Sequence, residues 1–271
     1  MRKTFSAFMI CLVSAALLSF NACTPENSNS NTSTPDNPNT GGDSWANLIN
    51  ETPHEVQLDG NTLTYGTHVY TVNGEIDLNA TTFQTPTASV TFTNIPSGYT
   101  EFEAVYNNLL GKSIQGTAAM IPMAMEIYAR DAQLGERCFN LICNGSATVS
   151  EIIRILKTKF NYSPYSPEGD AYVQRYLPAV TMKGASWDNG YNPTEPYTIE
   201  MCRSANAPSS YSFDAYGTVY YIYILAPGGW DSFQRAVDIF KPDNSEYYKV
   251  FQCPAVYTMC KIIQGTWQGL K

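Results

Sequence analysis

The sequence predicts an α+β fold: helices in the middle of the chain packed on a mainly antiparallel sheet with a C-terminal four-stranded meander. Three observations predict it. Segments of β-branched and aromatic residues occupy 54–97 and return beyond 197. Between them, over 99–182, apolar residues recur at spacings of three and four. Short links between the later strand segments suggest an antiparallel meander.

Each element has its own local signal. Thr62-Leu63-Thr64-Tyr65 and His68-Val69-Tyr70-Thr71-Val72 suit strands, and Asn73-Gly74 suits a hairpin turn. Ser89-Val90-Thr91-Phe92-Thr93 alternates apolar side chains with hydroxyls, the period of a half-buried strand. Phe102, Val105, Tyr106 and Leu109 form one helical stripe, stopped by Gly111. Residues 118–132 are rich in Ala and Met and predict a second helix, with Pro122 in its first turn or kinking it. Thr148 or Ser150 caps a third, striped by Ile152, Ile153, Leu156 and Phe160. Asp170 caps a fourth, carrying Tyr172, Val173, Tyr176 and Leu177 up to Pro178. Strands then return at 197–201, 219–225, 234–241 and 247–253, with Pro242-Asp243-Asn244 as a turn. The run at 219–225 is nearly continuous in Tyr, Ile and Val, as a central strand buried on both faces would be.

The amino terminus is of another kind. Arg2 and Lys3 precede a thirteen-residue uncharged run, Phe8 to Phe20, which suits a secretory signal and is short for a membrane span of about 20 residues. It ends at Asn21-Ala22-Cys23, which resembles the lipobox of bacterial lipoproteins, in particular Bacteroidota-like ones. The resemblance implies cleavage before Cys23 and lipidation of its sulfur. From Thr24 to Asp43 no residue is large and apolar, so residues 23–44 read as a lipidated cysteine and a disordered tether. The expected organisation is a signal peptide at 1–22, this tether, and a single α+β domain over 45–271, with 45–98 either part of it or a small β module. Several acyl chains would hold such a protein on a lipid bilayer. The expected location is the bacterial cell envelope, as an outer-membrane lipoprotein.

Composition narrows the function. The chain of 271 residues carries 16 Lys and Arg against 24 Asp and Glu, which disfavours nucleic acid as a partner. Loss of residues 1–22 would remove two of those basic groups. Only His54 and His68 are available as imidazole bases or ligands, and fourteen residues apart they form no helical metal pair. Gly111-Lys112-Ser113 lacks the earlier glycine of a phosphate loop, since Tyr106 stands there. Glu101 and Glu103, Asp131 and Glu136, and Asp231 and Asp238 show no spacing that selects a catalytic pair, so a solvated surface is expected for them. Beyond Cys11 and Cys23 the thiols are Cys138, Cys143, Cys202, Cys253 and Cys260. Their spacings do not suit zinc, and buried free thiols are expected, with one disulfide as the alternative. No metal and no cofactor are expected.

Aromatic loops are the most suggestive feature. Trp187, Tyr191 and Tyr197 lie in a Gly/Asn/Pro-rich stretch, and Pro227-Gly228-Gly229-Trp230-Asp231 follows the expected central strand. Trp187, Tyr191, Trp230 and Asp231 are therefore the candidate ligand-binding residues, since aromatic faces stack on sugars and carboxylates accept from hydroxyls; packing onto the core is the other role open to them. Gly184-Ala185-Ser186-Trp187-Asp188-Asn189-Gly190-Tyr191-Asn192-Pro193-Thr194-Glu195-Pro196-Tyr197, with Asp231-Ser232-Phe233-Gln234-Arg235 and Gly116-Thr117-Ala118-Ala119-Met120, resembles an uncharacterised bacterial family with a domain of unknown function, over roughly 100–265. That resemblance implies one α+β domain and no known activity. The sequence thus reads as a membrane-anchored exported lipoprotein that binds a glycan or protein ligand. The alternative is a hydrolase using carboxylates or a cysteine nucleophile.

Overall fold

The computed structural model describes residues 53–160, 174–205, 208–213, 216–228, 233–257, 260–261 and 263–271. They belong to one compact unit, Ser44–Lys271. The signal, Cys23 and the tether lie outside the described residues. Among the described residues no helix is long and apolar enough to cross a membrane.

The fold is α+β. Four strands open it: β1 Val56–Asp59, β2 Thr62–Tyr65, β3 His68–Gly74 and β4 Ala88–Phe92. Four helices follow: α1 Tyr99–Asn108, α2 Ile114–Arg130, α3 Ala132–Ile142 and α4 Ser146–Phe160. Five strands close it: β5 Tyr197–Arg203, β6 Ser210–Phe213, β7 Gly217–Leu225, β8 Gln234–Pro242 and β9 Lys249–Gln252. All nine strands join one antiparallel sheet, ordered β1-β2-β3-β4-β5-β7-β8-β9, with β6 also on β7. The amino-terminal strands continue the later ones, because β4 pairs with β5 from Phe92↔Tyr197 to Ala88↔Met201.

One face of the sheet carries the core. Leu63, Tyr70, Val90, Phe92, Ile199, Ile222, Ile224, Val237, Ile239 and Val250 are buried there against the helices. Helix α2 is apolar on almost every side and buried from Gln115 to Tyr128, as a helix with neighbours all round must be. Pro122 falls in mid-helix rather than in the first turn. Ser113 caps α2 by accepting from the Gly116 amide. A single residue, Asp131, then joins α2 to α3 and caps α3 by accepting from the Gln133 and Leu134 amides.

Three expectations need correction. Strand β7 is buried on both faces only in part: Ile222 and Ile224 face the core, and on the other side Val219 and Leu225 are buried while Tyr221 and Tyr223 are half-buried. A run of tyrosines satisfies the apolar pattern of a central strand, yet each ring carries a polar hydroxyl that a fully buried position would have to satisfy. Glu101 and Asp238 are not solvated: Glu101 is fully buried in the first turn of α1, and Asp238 on β8 is buried too. The helix expected at 170–178 lies partly outside the described residues, and Leu177–Thr181 is a short 3₁₀ turn. Strand β6 has no forecast at all.

Candidate functional site

The face of the sheet opposite the helices is only partly covered. The chain between β3 and β4 crosses it: the Phe83 carbonyl accepts from Gln234 Nε2 at 2.9 Å and from the Cys202 thiol, the Phe83 ring meets Tyr223, and Ser209 Oγ donates to the Leu78 carbonyl. Towards β9 this cover ends. There lies an open cavity of about 490 Å³, lined by Pro208, Tyr211, Tyr221, Asp238, Gln252 and Pro254, with Ala236 between.

Strand register builds this cavity. Tyr221 on β7 stands opposite Asp238 on β8, and Asp238 stands opposite Gln252 on β9. Residues in direct register share one face about 5 Å apart, so the three side chains form a row. A bulge between Asp238 and Ile239 shifts the β9 pairing beside this row, which is how sheets re-aim side chains. Tyr221 also marks a seam. On one edge β7 pairs with β5 at Ile222–Ile224 and with β6 at Gly217–Tyr220. In between, the Tyr221 amide donates to Ser209 and its carbonyl accepts from Ser204. Tyr211, entering from β6, packs beside Tyr221 with ring centres 5.4 Å apart, and their hydroxyls hydrogen-bond.

Asp238 is the chemical centre of the row. It is 8% exposed. Its partner is the Gln252 amide, which donates to Oδ2. Among the described lining residues it is the one carboxylate, and no Lys or Arg stands with it. Burial pushes its carboxyl above the ordinary range, against the smaller opposing pull of the Gln252 hydrogen bond. Burial and the neighbouring Tyr211 likewise raise the Tyr221 phenol, with Asp238 adding to the effect. Beneath them the fully buried Cys253 thiol is raised by burial, then by Cys143 and Asp238.

A measurable consequence follows. The unfolded chain ionises Asp238 in the ordinary carboxylate range, about 3.9, and burial makes the folded chain do so at higher pH. The penalty of the buried charge is therefore absent below that value, grows as pH rises, and is complete above the folded pKa. Asp238→Asn keeps the acceptor for Gln252 and removes the charge. It is expected to raise the melting temperature at pH 7 and to leave it nearly unchanged at pH 3, as read by calorimetry. Equal changes at both pH values would exclude charge burial as the cause.

The residues singled out from the sequence lie elsewhere. Tyr191 is fully buried, stacked on Tyr176 at 4.7 Å, and its hydroxyl donates to the Lys261 carbonyl. Its backbone takes a left-handed φ of 57°, held by Asn189, whose carboxamide oxygen accepts from the Ser186 and Asn192 amides. Trp187 is half-buried beneath Lys261 Nζ, 4.5 Å from the ring centre. The two aromatic loops do meet, since a Cβ at Gly228 would lie 2.8 Å from the Tyr191 ring. Trp230 and Asp231 lie outside the described residues. All five described cysteines are buried free thiols. Among the described residues no group of three His, Cys, Asp or Glu side chains stands as metal ligands would.

A search against family profiles matched residues 94–264 to a domain of unknown function, DUF6935. The chain belongs to the DUF6935 family. No curated protein and no solved structure matched it. The DUF6935 region runs from the entry to α1 to beyond β9, so it contains the whole cavity. Strands β1–β4 precede the family region and extend its sheet through β4.

Proposed function

We propose that this DUF6935 protein is an exported lipoprotein that holds a small polar ligand in the cavity over β6–β9. The supporting observation is the row Tyr221, Asp238 and Gln252, with Tyr211 beside it, in an open cavity on the face of the sheet the helices do not use. Aromatic walls with convergent polar groups suit a saccharide or another small polar molecule. Among the described lining residues no second carboxylate accompanies Asp238, which favours binding over hydrolysis of glycosides.

The test is affinity electrophoresis of residues 44–271 through polysaccharide gels. Retardation is expected in the parent. Tyr221→Ala should weaken it about tenfold, the ~1.4 kcal/mol of a useful aromatic contact. Trp187→Ala should leave it intact. Loss with Trp187→Ala and none with Tyr221→Ala would move the site to the Trp187 loop.

Anchoring is a separate part of the proposal. The residues around Cys23 and the polar stretch after it support acylation there, with residues 24–44 spacing the domain from an outer-membrane bilayer. In bacteria fed radiolabelled palmitate, the parent chain should take up label and Cys23→Ala should not. Equal labelling of both would refute the anchor.

A further inference from the structure

We infer that the ligand of this cavity carries an organic ammonium group, seated on Asp238 between Tyr221 and Gln252. This rests on the ligand-binding reading above and narrows it to a chemical class. Three observations carry it. Asp238 as a residue is 8% exposed, lines an open cavity, and has an uncharged amide as its carboxylate's partner. Among the described residues, the groups facing it from the neighbouring strands are Tyr221 on β7, Tyr211 on β6, Gln252 on β9 and Cys253 just after it, and none of these is a cation. Arg235 on the same strand is opposite Ile224, on the core face.

The cavity is thus rich in acceptors. Gln252 spends an amide hydrogen on Asp238 and keeps its own carbonyl oxygen, and the phenol oxygens of Tyr211 and Tyr221 accept as well. A ligand group that fits must bring hydrogens and positive charge. An ammonium brings both: three donors for Asp238 Oδ1, the Gln252 carbonyl and a phenol, and the charge that a desolvated carboxylate lacks. Tyrosine rings at the wall add attraction for a cation and none for an anion. The pushed-up carboxyl is consistent with a site completed by its ligand, since an ammonium ion would draw the Asp238 proton off.

Such a group can belong to an amino sugar or to a simple aliphatic amine. The test separates the two and uses matched neutral partners. Binding to the full chain in dodecyl maltoside is measured by calorimetry at pH 7.5 for glucosamine, glucose, butylammonium and butanol. At least one ammonium compound is expected to bind tenfold or more tightly than its neutral partner. Glucosamine as the tighter of the two would identify a sugar source, butylammonium an alkylamine source. In Asp238→Asn the preference should vanish, and in the parent it should fall as Asp238 is protonated at lower pH. Asp238→Asn keeps the shape and the Gln252 bond, so its thermal melting controls for folding. Equal binding of charged and neutral partners, or a preference untouched by Asp238→Asn, overturns the inference. If the neutral sugar binds equally and Tyr221→Ala weakens it, the ligand-binding reading survives alone. If neither these compounds nor the polysaccharides bind, both fall.

Discussion

Glu101→Ala is expected to lower the stability of the domain by about 3 kcal/mol. The carboxylate is fully buried and saturated. Oε1 accepts from the Tyr70 hydroxyl at 2.7 Å and lies 2.7 Å from His68 Nδ1. Oε2 accepts from both the amide and the hydroxyl of Ser97, each at 2.7 Å. The side chain thus ties the start of α1 to β3 and closes the turn before the helix. Alanine removes the Glu101 acceptor from the buried Tyr70 hydroxyl, where a lost hydrogen bond costs about 1–3 kcal/mol, and loses the stronger bonds to a charged acceptor. Ser97 is exposed and recovers water, which limits the total. For a domain of this size, the loss corresponds to roughly 6–12 °C in melting temperature. Glu101→Gln keeps one carbonyl acceptor and should fall between the two. Thermal unfolding by circular dichroism reads both. A change below about 1 kcal/mol for the alanine variant would show the network to be dispensable.

Gly135→Ala is expected to cost about 2 kcal/mol, for a steric reason. A Cβ at this position would lie 2.2 Å from the Tyr128 Cα and 2.5 Å from the Tyr128 nitrogen. Both are backbone atoms of α2 and cannot rotate away. Helix α3 would have to move off α2, opening the contacts of Leu134, Cys138 and Phe139, all buried. Overpacking of this kind costs about 1–3 kcal/mol, and the better helix propensity of alanine offsets less than about 1 kcal/mol. Urea unfolding of the two chains compares them directly. Unchanged or higher stability would mean that α2 and α3 separate freely.

Local pattern carried the α+β architecture, because the strand and helix periods are properties of neighbouring residues. Residues 234–241 and 89–93 announced β8 and β4 almost to their ends. What failed depended on tertiary contact. Glu101 looks like any acidic residue in a first helical turn, and only its place over Tyr70 and His68 buries it. Four-residue β6 carries too short an alternation to stand out and forms against the exposed edge of β7. The cavity was illegible for the same reason: Tyr211, Tyr221, Asp238 and Gln252 come from four strands and meet through register. One clue was present. Asp238 interrupts an otherwise apolar Ala236-Val237-Asp238-Ile239-Phe240, and a carboxylate kept within such a strand invites a chemical reason. Tyr191 was conspicuous in sequence, yet its burial against Tyr176 gives it a packing position.

The most direct measurement is a crystal structure of residues 44–271 grown with the saccharide that binds tightest in the electrophoresis. The account predicts the ligand over Asp238, in contact with Tyr221 and Gln252 and flanked by Tyr211. The same ligand seated on the Trp187 loop, with the cavity over β6–β9 empty, would contradict it.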